Sequence, residues 1–161
     1  MATVDIIFDS QTGFTERMAK AVAEGVDGVE DVEVAVFKVG TPFSVSKLNA
    51  ADAIILGSPT IYGSVTPAMN IFLECVKAHV ESKRLNLSGK IGGVFASYEW
   101  DGGWVADKLC ADLKALGVKV VAPAVSLVDG MGGSYEIRVR DDDLQKCRKL
   151  GQVIAETINT T

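Results

Sequence analysis

The stretch Asp9-Ser10-Gln11-Thr12-Gly13-Phe14-Thr15 decides the fold, because an apolar run ends on one side of it and a helical period begins on the other. Before it stand Val4, Ile6, Ile7 and Phe8. After it Met18, Val22 and Val26 share one face with Ala19 and Ala23 beside them, while Glu16, Arg17, Lys20 and Glu24 lie elsewhere. A strand that passes through a hydroxyl-rich turn into a helix presents unbonded backbone N–H groups and the positive end of the helix dipole. Ser10, Thr12 and Thr15 add hydroxyl donors, and Gly13 permits a close backbone approach. No Lys or Arg lies in the loop, so an anion held there is neutralised by dipoles and donors. The expectation is a phosphate site. A plain helix start capped by Ser or Thr is the competing reading, and two further loops weigh against it.

Outward from this turn, residues 32–39 alternate loosely, as an edge strand does. Gly40-Thr41-Pro42 breaks that strand, and a short helix or loop follows to about Ala51. The first helix is expected to fade at Gly25 and Gly28. Residues 52–57 form a continuous apolar run, the mark of a strand covered on both faces. It empties into Ser58-Pro59-Thr60-Ile61-Tyr62-Gly63-Ser64, after which Thr66-Pro67 reads as an N-cap and a first helical position. Met69, Phe72, Leu73, Val76 and Val80 carry that helix. A strand over residues 90–97 opens into Tyr98-Glu99-Trp100-Asp101-Gly102-Gly103-Trp104, and the helix after it shows Val105, Leu109, Leu113 and Leu116. Trp104 stands beside that apolar face and is read as a core aromatic. Tyr98 and Trp100 flank Glu99 in a polar loop, which suits stacking rather than core. The strand over residues 118–127 is interrupted by Pro123, so it is an edge or bulged strand. A polar, glycine-rich stretch over residues 129–134 leads to a last helix whose face is Leu144, Cys147, Gly151, Ile154 and Ile158.

Alternating strands and helices imply an α/β domain over residues 1–161, a parallel sheet with helices on both faces and right-handed crossovers. In such a sheet ligands bind beyond the carboxyl ends of the strands, where the three unusual loops fall. A hydrophobic share of 48% with 23% charged residues is an ordinary globular balance, not a disordered one. The net charge of −5 argues against nucleic acid and steers toward partners with basic docking surfaces. Cys75, Cys110 and Cys147 have no metal-type spacing and read as reduced packing thiols, and His79 as a helix-surface residue. With no bilayer-length apolar run and no signal-peptide start, a soluble cytoplasmic protein without a membrane partner is expected.

With the loops in this order the chain resembles the flavodoxins over nearly its whole length. Residues 10–15 resemble the family's phosphate loop, and Ser97-Tyr98-Glu99-Trp100 the aromatic loop that covers the flavin ring. Gly57-Ser58-Pro59-Thr60 and residues 143–151 are closest to the flavodoxin domain of flavodiiron proteins. The resemblance implies a flavodoxin-like three-layer sandwich, a five-stranded parallel sheet in the order 2-1-3-4-5, and bound FMN. On this likeness Ser10, Gln11, Thr12, Gly13, Phe14 and Thr15 hold the phosphate through hydroxyls and amides. Pro59, Thr60, Ile61, Tyr62 and Gly63 flank the isoalloxazine near its N5 edge, where a glycine eases a peptide flip toward the reduced N5–H. Ser97, Tyr98, Glu99, Trp100, Gly102 and Gly103 form the other wall, with Tyr98 stacked on the ring. Many flavodoxins have a tryptophan in the second loop; here Ile61 and Tyr62 both remain candidates for the inner face.

The implied function is a low-potential electron carrier, not an enzyme, shuttling electrons between redox proteins through a neutral semiquinone, as a monomer or weak dimer. Asp9, Glu99 and Asp101 would disfavour further negative charge on the ring. With one histidine and no metal domain, the chain is not expected to hold a metal or to run flavodiiron chemistry. The alternative is an NAD(P)H-dependent quinone reductase of the same fold, to which Tyr62-Gly63 has some likeness, although no insertion for a nicotinamide pocket is visible. A receiver-type signalling domain would need an aspartate where Gly57-Ser58 end the third strand.

Overall fold

A computed structural model describes residues 1–99, 103–128 and 141–160. Trp100, Asp101, Gly102 and the glycine-rich stretch over residues 129–134 lie outside the described residues. β1 (Ala2–Phe8) pairs in parallel with β2 (Val32–Lys38) on one side and with β3 (Ala53–Pro59) on the other. β4 (Ile91–Tyr98) pairs with β3 from Ala53↔Ile91 to Pro59↔Ser97, so these two strands end level. Every residue of β3 is buried, as its unbroken apolar run requires. β1 divides its side chains between two cores: Val4, Ile6 and Phe8 face one, and Ile7 faces the other.

The order is β2-β1-β3-β4-β5, as expected for the flavodoxin-like fold. The last expected strand is two short ones, β5 (Lys119–Val120) and β6 (Val125–Val128), separated around Pro123. β5 pairs with Ile91 and Gly92, and β6 with Phe95 to Tyr98. β3 already occupies one edge of β4 along this length, so both segments lie on the other edge, as one interrupted strand. The proline lacks the N–H a continuous ladder would use there.

α1 (Phe14–Asp27) and α4 (Asp141–Asn159) cover one face; α2 (Pro67–Glu81), α3 (Trp104–Ala115) and a short 3-10 helix (Val45–Ala50) cover the other. α1 does not fade at Gly25; it runs on to Asp27, and Gly28 is its C-cap. Gly25 is there for space. A Cβ on Gly25 would fall onto the Arg148 carbonyl, and one on Gly151 onto the Val22 carbonyl, so the two glycines let α1 and α4 touch backbone to backbone. Cys147 is fully buried at this seam, and burial pushes its thiol up to about 12. Cys75 and Cys110 are half-buried, and burial raises the Cys110 thiol. His79 is half-buried too, with Nδ1 donating to the Cys75 carbonyl at 2.8 Å. Among the described residues no helix is long and apolar enough to cross a membrane.

Candidate functional site at the carboxyl edge of the sheet

The level ends of β1, β3 and β4 bring three loops together. The first is tied down by its own polar groups. Asp9 N donates to the Gly57 carbonyl at 3.0 Å, Ser10 N to Asp9 Oδ1 at 2.8 Å, and Gly13 N to Ser10 Oγ at 3.1 Å. Gly13 then starts α1 with a left-handed φ of 95°, which a glycine adopts without steric cost. No side chain caps this helix, and a Cβ on Gly13 would meet nothing within 4 Å. The leading N–H groups of α1 are therefore not taken up by a side chain of its N-cap. Gln11 and Thr12 are exposed beside them. Phe14 and Thr15 are buried. The Phe14 ring belongs to the core, and Thr15 Oγ1 lies 2.9 Å from Ser97 Oγ, joining the first loop to the end of β4.

The second loop is a tight hairpin. Ile61 N donates to the Ser64 carbonyl at 2.8 Å and Ser64 N to the Ile61 carbonyl at 3.0 Å. Between them Tyr62 and Gly63 have φ of 48° and 75°, the positive pair a type I′ turn requires. Ile61 is half-buried, whereas Tyr62 is fully exposed. At its base Thr60 N donates to the Ser97 carbonyl at 2.8 Å, which fixes this loop to the third. Just beyond it, Thr66 Oγ1 accepts the Met69 N–H at 3.2 Å and closes the start of α2.

In the third loop Tyr98 is half-buried and Glu99 exposed. Trp104 is not a core residue. It is 48% exposed, and its Nε1 donates to the Gly63 carbonyl at 2.6 Å. The apolar face of α3 is Val105, Ala106, Leu109 and Leu113; Trp104 precedes it by one position, a turn of about 100° away from the buried stripe. Ser126, which the sequence reading did not single out, places a buried Oγ without a hydrogen-bond partner among the described residues. A Cβ on Gly103 would lie 3.8 Å from that oxygen, so the unpartnered hydroxyl sits under the start of α3. Its only sequence signal is a polar residue between Val125 and Leu127.

Gln11, Thr12, Pro59, Thr60, Ile61, Ser97, Tyr98 and Glu99 line one cleft of about 70 Å³. Larger hollows lie elsewhere, about 720 Å³ between α1 and β2 and about 660 Å³ between α4 and the β5–β6 edge. Those are walled by the sides of helices and strands. Of these three hollows the small cleft is the one lined by the loop that leads into α1 together with hydroxyls and the Tyr98 ring, so chemistry rather than volume selects it. Among the described residues no group of His, Cys, Asp or Glu is arranged to hold a metal ion.

The sequence matches the family profile of the flavodoxins over residues 6–151. This chain belongs to the flavodoxin family. A solved flavodoxin from the domain Archaea superposes on it with a TM-score of 0.81 at 28% identity, covering 98% of this chain and 99% of that one. The NAD(P)H dehydrogenase (quinone) of Archaeoglobus fulgidus is 32% identical over 192 residues, 97% of each chain. The nitric oxide reductase of Moorella thermoacetica is 29% identical over 156 residues, 95% of this chain; the chain spans only 35% of that reductase. The flavodoxins are flavoproteins of electron transport, and the relatives of this chain include both flavodoxins and proteins named for quinone reduction.

Proposed function

We propose that the chain binds FMN across its three loops and acts in the cytoplasm as a low-potential carrier, passing single electrons between larger redox proteins. The observation that carries this reading is the start of α1. It is uncapped, left-handed at Gly13 and open above, and the other two loops converge on the same edge. Ser10, Gln11, Thr12 and Gly13, with the amides of Phe14 and Thr15, would hold the phosphate. Pro59, Thr60, Ile61, Tyr62 and Gly63 would line one side of the ring, and Ser97, Tyr98, Glu99, Trp100, Gly102 and Gly103 the other. The unpartnered Ser126 hydroxyl beneath Gly103 fits a polar ligand at this edge of the sheet.

When bound, the flavin supplies the redox chemistry; the chain supplies binding, orientation and electrostatics. Asp9 is buried at the loop and Glu99 lines the cleft, so both place negative charge where it opposes a further negative charge on the ligand. The net charge of −5 favours partners with basic docking surfaces.

A second reading, an FMN-dependent NAD(P)H quinone reductase, is favoured by the Archaeoglobus fulgidus relative, which matches over 97% of both chains. Titrating FMN into the flavin-free protein, then adding NADH or NADPH with a quinone, separates the two. The carrier reading expects saturable binding of FMN at one per chain and no sustained oxidation of the nicotinamide. Sustained turnover would establish the reductase instead, and failure to bind FMN would remove both.

A further inference from the structure

We propose that the Trp104 indole is a latch on the Tyr62-Gly63 turn, which makes Trp104 a positioning residue for the loop that faces the flavin. The ligand side of this inference rests on the flavin reading above; the latch itself does not. The turn is weakly held by everything else. Its two central residues are both left-handed, and the first is Tyr62, although Asn, Asp or Gly is what such a turn favours. The Tyr62 side chain is fully exposed and adds no packing. Two backbone bonds between Ile61 and Ser64 close the hairpin but leave its tip free.

The indole supplies what the tip lacks. Trp104 is the first residue of α3, so a regular helix fixes its backbone, and its ring lies against Gly63. A Cβ on Gly63 would stand 3.2 Å from Trp104 Cζ2, which leaves glycine as the residue that fits under the ring. Nε1 is a donor only, so the 2.6 Å bond can run in one sense, from indole to Gly63 carbonyl. That bond turns the carbonyl toward α3 and sets the plane of the peptide behind it. The loops after β3 and β4 are thereby joined twice, at the base by Thr60 N to the Ser97 carbonyl and at the tip by the indole. The tip bond is half-exposed and can open to water, unlike the base.

This gives the latch a redox consequence. A flavin held at this edge would gain an N–H on reduction, and a carbonyl of the Tyr62-Gly63 turn could accept from it only if the turn were able to rearrange. A pinned Gly63 resists that rearrangement. Losing the indole N–H should therefore make the first electron easier to add.

Trp104→Phe keeps an aromatic ring and removes the donor; Trp104→Leu is a second variant that keeps apolar bulk. In the flavin-free protein, the Ser64 amide should exchange with solvent about tenfold faster in both variants, while amides within β3 stay unchanged. In the FMN-loaded protein, the first reduction should become about tenfold more favourable, a rise of about 59 mV, with FMN affinity within about threefold of the parent. Ser64 exchange unchanged in both variants would overturn the latch. Faster exchange with a first potential moved by less than about twofold in its equilibrium would overturn its redox role. If the parent protein takes up no FMN, the flavin reading falls, and the exchange experiment still decides the latch.

Discussion

α1 and α2 both begin at the carboxyl edge of the sheet, with the same dipole and the same orphan donors, yet they begin in opposite ways. α2 starts at Thr66, which is extended, fully buried, and gives its Oγ1 to the Met69 N–H at 3.2 Å. Pro67 follows and has no N–H to satisfy. α1 starts at Gly13, with φ of 95°, no side-chain cap and open space where a Cβ would be. Ser10 takes the N–H of Gly13 itself and leaves the first turn uncapped. A helix N-terminus does not by itself mark a site. One whose donors are used within the chain is structural; one whose chain withholds the cap, among loops that converge on it, is built for something else.

The contrast breaks most directly at Gly13. Gly13→Ala should weaken FMN binding at least about tenfold by FMN-fluorescence titration, because the loop must leave the left-handed region that an L side chain occupies at a cost of about 1–2 kcal/mol. Unchanged affinity would show that the open start is not the anchor. Thr66→Ala should do the reverse. In urea unfolding it should lower stability by about 1 kcal/mol while FMN affinity stays within about threefold.

A smaller effect should follow from inorganic phosphate alone. At tenfold over its dissociation constant it should raise the melting temperature of the flavin-free protein by about 3–6 °C. That rise should survive Thr66→Ala and vanish in Gly13→Ala; a rise kept in Gly13→Ala would place the anion elsewhere. The smallest effect is expected in the middle of β1. Burial pushes the Asp5 carboxyl above its usual range, with Lys47 and Lys90 opposing. The folded state thus holds this proton more tightly than the unfolded one, and the ionised carboxylate destabilises at neutral pH. Asp5→Asn should add less than about 1 kcal/mol at pH 7, a gain that shrinks as pH falls through the raised value. FMN affinity should not move.

Much of this was legible in the sequence, and the misses share a cause. β1, β3 and β4 declare themselves because strands covered on both faces must be apolar throughout, and the glycine and hydroxyl loops follow directly from their ends. Thr66-Pro67 was readable because a cap is a local event. Gly25 was misread as a helix end because its reason is a backbone carbonyl on α4, more than a hundred residues away. Trp104 was misread as core because its partner is a carbonyl in another loop, which carries no side-chain signature. The Ser126 hydroxyl is inconspicuous in sequence for the same reason: only the fold places it beneath Gly103.

The most direct test of the carrier reading is the absorbance spectrum of the FMN-loaded protein during stepwise photoreduction in the absence of oxygen. Expected is a long-wavelength band that grows over the first electron and fades over the second, with nicotinamide and quinone unable to drive turnover. Bleaching straight from yellow to colourless, with sustained NAD(P)H oxidation once a quinone is added, would contradict it.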